Sequence, residues 1–144
     1  MPDNHGVFSL ELSVRDYECD IQGVVNNANY LHYLEHARHE FLLSKGISFM
    51  DLHEEGTDLT VTRTEIDYKF PLRSRDRFIV MTEISREGNI RIVFRQNIFR
   101  LPDMKLIVSA KVTGVSTRNG RPVPPGDLTG KLGLDDIQKI QKTK

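Results

Sequence analysis

The chain has 144 residues, and its 20 basic and 20 acidic side chains cancel. It reads as one domain, long enough to bury about two-thirds of its unfolded surface. The balance leaves no global field toward nucleic acid or an anionic membrane, so any anion must be recognised by a local cluster.

The single cysteine, Cys19, rules out an internal disulfide and suits a reducing, cytoplasmic compartment. No apolar run approaches the ~20 residues of a membrane helix, so stable membrane insertion is not expected. Residues 1–6 are short and polar and read as neither signal nor transit segment.

Residues 7–14 alternate. Phe8, Leu10, Leu12 and Val14 fall on one face and Ser9, Glu11 and Ser13 on the other, as in a half-buried strand. Residues 17–29 form an irregular connection rich in Gly and Asn. Tyr30, Leu34, Ala37, Phe41 and Leu42 then recur at helical spacing, and Leu31 and Tyr33 broaden the apolar stripe. Lys45 and Gly46 end this helix, a cation in the last turn and a glycine just past it. At ~1.5 Å per residue, residues 30–45 make a helix roughly 24 Å long. Ser48, Asp51, Leu52 and Gly56 suggest a short capped turn of helix.

The period then changes to two. Residues 57–70 read as a long strand whose apolar face switches from Leu59 and Val61 to Ile66, Tyr68 and Phe70. That change of parity predicts a bulge or bend near residues 62–65. A basic turn over 71–77 leads to strands at 78–84, 90–99 and 106–115. The short links Glu87-Gly88-Asn89 and Pro102-Asp103 between them favour antiparallel hairpins. The tail is rich in Pro and Gly through Gly126, and Leu134, Ile137 and Ile140 allow a final short helix. One strand, one long helix and four strands in succession make an α+β domain with the helix on one face of an antiparallel sheet. Residues 1–6 and 127–144 are expected to be peripheral. One helix cannot cover five strands whose last members carry Val, Ile and Phe on both faces, so a partner subunit is expected to cover the rest.

The chemistry concentrates ahead of the long helix, where Asp16, Glu18 and Asp20 crowd one turn. A carboxylate beside the unpaired N–H groups and positive dipole of a helix N-terminus can act as a nucleophile toward a carbonyl or as a general base for water. The amides of Gly23, Val24 and Val25 would then stabilise the developing oxyanion, one such donor being worth about 3 kcal/mol. The plain alternative is that Asp20 only starts a turn or caps the helix. Asn26, Asn27 and Asn29 read as turn and cap residues, with Asn27 also able to orient a water or Asp20. Arg73, Arg75 and Arg77 are the best local anion site, or else a solvated turn. Thr60, Thr62 and Thr64 either line a tunnel or simply form strand.

Three other patterns carry less. His32 and His36, with Glu35 between them, fit an inverted zinc-protease motif, but no third ligand follows. Cys19 lacks an orienting histidine. The alternating Asp16, Glu18 and Asp20 lack the rest of a calcium loop.

The stretch also resembles the hotdog-fold thioesterases of the 4-hydroxybenzoyl-CoA thioesterase type. The residues that carry the resemblance are Tyr17, Glu18, Asp20, Gly23, Val24, Val25, Asn27 and Tyr30, then Glu35, Ala37 and Arg38 along the helix. R-D-Y-E-C-D, G-V-V-N-N-A and H-A-R-H-E are closer still to the plant-type acyl-lipid thioesterases and their bacterial relatives. The likeness continues through Pro71-Leu72-Arg73-Ser74 and Phe99-Arg100-Leu101-Pro102. It implies a five-stranded antiparallel sheet wrapped around a central helix, and a homodimer with its active site at the interface; a dimer of dimers stays open. It implies Asp20 as the catalytic carboxylate and backbone near Val24 and Val25 polarising the thioester of an acyl-CoA or acyl carrier protein, with no metal or bound cofactor. Glu35 is the rival acid, or else a support that hydrogen-bonds the Asp20 loop. Tyr30, Thr62, Thr64 and the three arginines are the expected substrate contacts. A non-catalytic acyl-CoA-binding module and a hotdog enoyl-thioester dehydratase are the alternatives. No nucleic acid is expected as partner, since neither a helix-turn-helix segment nor a basic patch is present.

Overall fold

The computed structural model describes residues 6–125. The helix expected around Leu134, Ile137 and Ile140 therefore lies outside the described residues. Strand β1 (Phe8–Ser13) is followed by one turn of 3-10 helix (Asp16–Glu18) and the long helix α1 (Asn27–Ser44). A short helix α2 (Phe49–Glu54) precedes strands β2 (Asp58–Tyr68), β3 (Arg77–Glu87), β4 (Arg91–Leu101), β5 (Lys105–Arg118) and β6 (Arg121–Val123). The sheet is antiparallel throughout in the order β1-β3-β4-β5-β2, which makes β1 and β2 its edges.

Helix α1 starts three residues earlier than its apolar stripe because Asn26 caps it, its side chain accepting from Ala28 N–H at 2.9 Å. Its buried residues Tyr30, Tyr33, Leu34, Ala37, Phe41 and Leu42 recur every three or four positions and face the sheet. Tyr30, Tyr33 and Leu34 pack with Phe78, Val80, Ile98 and Val108, while Phe41 and Leu42 pack with Ile47, Ile92, Phe94 and Val112. Ser48 caps α2 as expected, accepting from Asp51 N–H.

The change of parity in β2 is resolved by a bulge: Val61 pairs with Gly114 and Arg63 with Thr113, leaving Thr62 as the extra residue. The expected five strands are six. Asn119 and Gly120 both take positive φ (52° and 77°), turning the chain back as β6. That strand takes up the side of β5 that β4 vacates beyond the Arg91–Val115 pair. An Asn-Gly pair between strand residues is a strong hairpin signal.

Candidate active site

The connection between β1 and α1 folds into a small hairpin. Asp20 N–H donates to Val24 O (2.8 Å), Gly23 N–H returns to Asp20 O (2.9 Å), and Cys19 faces Val25 across the pair. Gly23 turns the chain at φ 81°, a conformation open to glycine at no steric cost. The Asp20 carboxylate is exposed. Its Oδ1 accepts from Gln22 N–H at 2.9 Å and, weakly, from Val24 N–H at 3.4 Å.

The amides expected to grip a carbonyl oxygen are not equally available. Gly23 N–H is committed to Asp20 O, and Val25 N–H to Leu72 O at 2.9 Å. Val24 N–H is the loosely held one. Asn27, the first residue of α1, has an amide with no acceptor among the described residues. The Asn27 side chain is exposed.

The three crowded carboxylates part company. Asp16 points outward, bonded to the Ser74 hydroxyl and 4.0 Å from Arg75 Nε. Glu18 turns inward, its Oε1 accepting from the Tyr33 hydroxyl at 2.7 Å and from Arg15 N–H at 2.8 Å. Its backbone oxygen takes Asn26 N–H (3.0 Å) and Asn29 Nδ2 (2.8 Å). The sequence carries no signal for this linkage, because its partners lie up to 15 residues apart and only the 3-10 turn aims Glu18 at the helix.

Among the described residues no hydrogen bond joins Glu35 to the hairpin of its own chain, and Glu18 ties that hairpin to α1. Eight residues beyond Asn27, Glu35 stands roughly 12 Å along α1, where it lines a cavity of about 240 Å³ between the helices and β2, β4 and β5. Leu59, Val61, Ile92 and Phe94 make that cavity apolar, and Arg38 and His39 add polar groups to its helix wall. Asp20 is not among its lining residues. Arg38 Nη1 donates to Gln96 Oε1 at 3.1 Å, and the fully buried Gln96 is fixed by donating Nε2 to Leu34 O and Thr82 Oγ1, both at 3.0 Å. Burial lowers the pKa of both Arg38 and His39, with Glu35 opposing the shift in each case.

The expected substrate contacts fare differently. Tyr30 is buried in the core, its hydroxyl accepting from Leu72 N–H at 2.9 Å. Thr62 is the bulge residue, its hydroxyl donating to Thr113 O, while Thr64 lies exposed on the edge strand. The arginines do not form one cluster. Arg77 forks onto Glu11 with bonds of 2.9 and 2.7 Å, an exposed ion pair. Arg75 leans toward Asp16, and Arg73 is exposed where its backbone bridges Val24. Among the described residues no three His, Cys, Asp or Glu side chains gather in a metal-holding group, and His32 and His36 lie exposed. Partial burial and then the carboxylates of Asp16, Asp20 and Glu18 push the Cys19 thiol up, away from the thiolate a nucleophile needs.

Comparison with known proteins places this arrangement. The thioesterase-like superfamily model matches residues 14–131. The chloroplastic acyl-acyl carrier protein thioesterases ATL2 and ATL3 of Arabidopsis thaliana are 46% identical over 110 residues and 44% identical over 125, covering 76% and 85% of this chain. The chain spans 58% and 66% of the length of these two relatives. The acyl-CoA thioesterase YbgC of Haemophilus influenzae is 33% identical over 117 residues, 81% of this chain and 86% of that one. The 1,4-dihydroxy-2-naphthoyl-CoA thioesterase of Synechocystis superimposes with a TM-score of 0.84 at 22% identity, over 91% of this chain and 98% of the other, a likeness of fold. In no helix among the described residues is there a span long and apolar enough to cross a membrane. With its helix laid against one antiparallel sheet in the hotdog manner and the family's pattern running through most of its length, this chain belongs to the thioesterase-like superfamily.

Proposed function

We propose that the chain hydrolyses an acyl thioester of coenzyme A or acyl carrier protein to a free acid and a thiol. Asp20 serves as nucleophile or as general base for water. One observation carries this reading: an exposed carboxylate lies on the hairpin that leads into an 18-residue helix whose first amide lacks an acceptor among the described residues. The arms of that hairpin, 18–20 and 24–26, lie side by side; Val24 N–H leans on the Asp20 carboxylate, and the donor assigned to the oxygen of a thioester attacked at Asp20 is Asn27 N–H, where the second arm enters α1. The dipole of α1 adds to that field. Arg73 and Arg75, exposed beside the hairpin, suit the phosphates of coenzyme A or the acidic surface of a carrier.

A second copy of the chain completes the site in this reading. Among the described residues strand β2 is an edge whose outer side is unpaired, and it and the residues after it expose Val61, Tyr68 and Phe70. Antiparallel pairing of two β2 strands about Arg63 brings the cavity beside Leu59 and Val61 against the far end of the second β2, next to that copy's hairpin. The acyl group then lies in the cavity of one copy while its carbonyl meets the carboxylate of the other. A reducing compartment such as the cytoplasm suits the protonated Cys19 thiol.

The test is a hydrolysis screen across acyl lengths on both carriers, for the wild type and Asp20→Asn. Asp20→Asn lowers kcat by roughly 100- to 10,000-fold while the fold and oligomer persist. Retained activity moves the role to Glu35. Intact acyl-CoA held without turnover by the wild type makes the chain a binding module, and hydration of an enoyl thioester makes it a dehydratase.

A further inference from the structure

We propose that Glu18 and Tyr33 are a positioning pair for Asp20, holding its carboxylate in register with the amides at the start of α1; this rests on the role proposed above for Asp20. Glu18 is 9% exposed, between exposed Tyr17 and half-buried Cys19. A buried carboxylate is costly unless hydrogen-bonded, so its donors fix where it sits. Both strong donors, the Tyr33 hydroxyl and Arg15 N–H, converge on Oε1, and the Arg15 guanidinium stands 3.6 Å from Oε2. Tyr33 cannot swing away, because its ring is packed against Phe78 and Tyr30 with centroids 4.7 and 6.1 Å apart. Burial, reinforced by the Glu18 carboxylate, pushes its pKa far up, so the phenol remains a donor.

The pair ties together groups that otherwise meet only through the loop. The main chain of Glu18 grips the start of α1 at Asn26 and Asn29, and its side chain grips the same helix a turn later at Tyr33. Asp20 follows two residues on. The other arm of the hairpin is held from the sheet side by Leu72 O and by the bridge of Val24 to Arg73. Removing the Tyr33 contact leaves that sheet-side anchor intact, so the hairpin persists while the Asp20 arm shifts against α1. A displacement of about 1 Å at a reacting group costs on the order of 100-fold in rate. The loss falls on kcat rather than KM, because two buried side chains outside the cavity do not touch the acyl group.

The experiment measures kcat and KM for the wild type, Tyr33→Phe, Glu18→Ala and Glu18→Gln on the best thioester from the screen, with circular dichroism confirming the fold. Tyr33→Phe and Glu18→Ala lower kcat by roughly 10- to 100-fold and leave KM within about threefold. Glu18→Gln, whose amide oxygen still accepts both bonds, restores most of the loss. A Tyr33→Phe kcat within about twofold of wild type, or a Glu18→Gln variant as poor as Glu18→Ala, overturns the pair. Should Glu18→Ala fail to fold, Tyr33→Phe, which keeps the ring, decides alone. A wild type that hydrolyses no thioester overturns the role of Asp20 and the pair with it; an active wild type indifferent to Tyr33→Phe overturns the pair only.

Discussion

Two tyrosines one turn apart on α1 show how a period can place a side chain without placing its hydroxyl. The spacing of Tyr30 and Tyr33 placed both on the stripe that faces the sheet, and both are buried there. Nothing in the spacing tells where a phenolic hydroxyl finds its partner. Tyr30 serves the Leu72 amide 42 residues away and so fastens the β2–β3 connection, and Tyr33 serves Glu18. Desolvation by burial raises both phenol pKa values above the ordinary 10.0. Below about pH 10 both phenols are neutral, folded or not. Above it the unfolded chain sheds protons that the native chain keeps, so stability falls as pH rises. Urea midpoints between about pH 8 and 11 are expected to decline, and Tyr33→Phe to make the decline shallower. The candidacy of Asp20, in contrast, rests on a local pattern, an acid beside a glycine turn and a helix start, together with the family resemblance.

At the scale of elements, hydrophobic period fixed type well and boundaries poorly. The stripe from Tyr30 to Leu42 located α1, but its true start depends on Asn26, whose carboxamide oxygen accepts from Ala28 N–H. Asn26→Ala is expected to cost about 1 kcal/mol of stability, read from denaturant unfolding. The same change frays the first turn and loosens the Asn27 amide, so activity falls beyond what the stability loss explains. The break of parity between Val61 and Ile66 announced the bulge at Thr62, since a strand with one buried face cannot change sides without an extra residue. Strand β6 escaped notice because three residues carry too little pattern; only the Asn119-Gly120 turn marked it.

At the scale of the molecule, the unpaired edge of β2 and the separation of Asp20 from the cavity at Glu35 lead to one expectation. The wild type sediments at no less than twice the 16.5 kDa chain mass. Val61→Lys, at a side chain 49% exposed on that edge, gives monomers that have lost hydrolysis. A monomeric and active wild type would sink the two-copy site. By itself the sequence determined the order and kinds of the long elements, the bulge and the family pattern, because each is written in neighbouring residues. Only the tertiary structure decided which amides stay open, which arginine pairs with Glu11 and which acid steadies the hairpin. Those outcomes depend on hydrogen bonds between groups far apart in the chain, which no local period records.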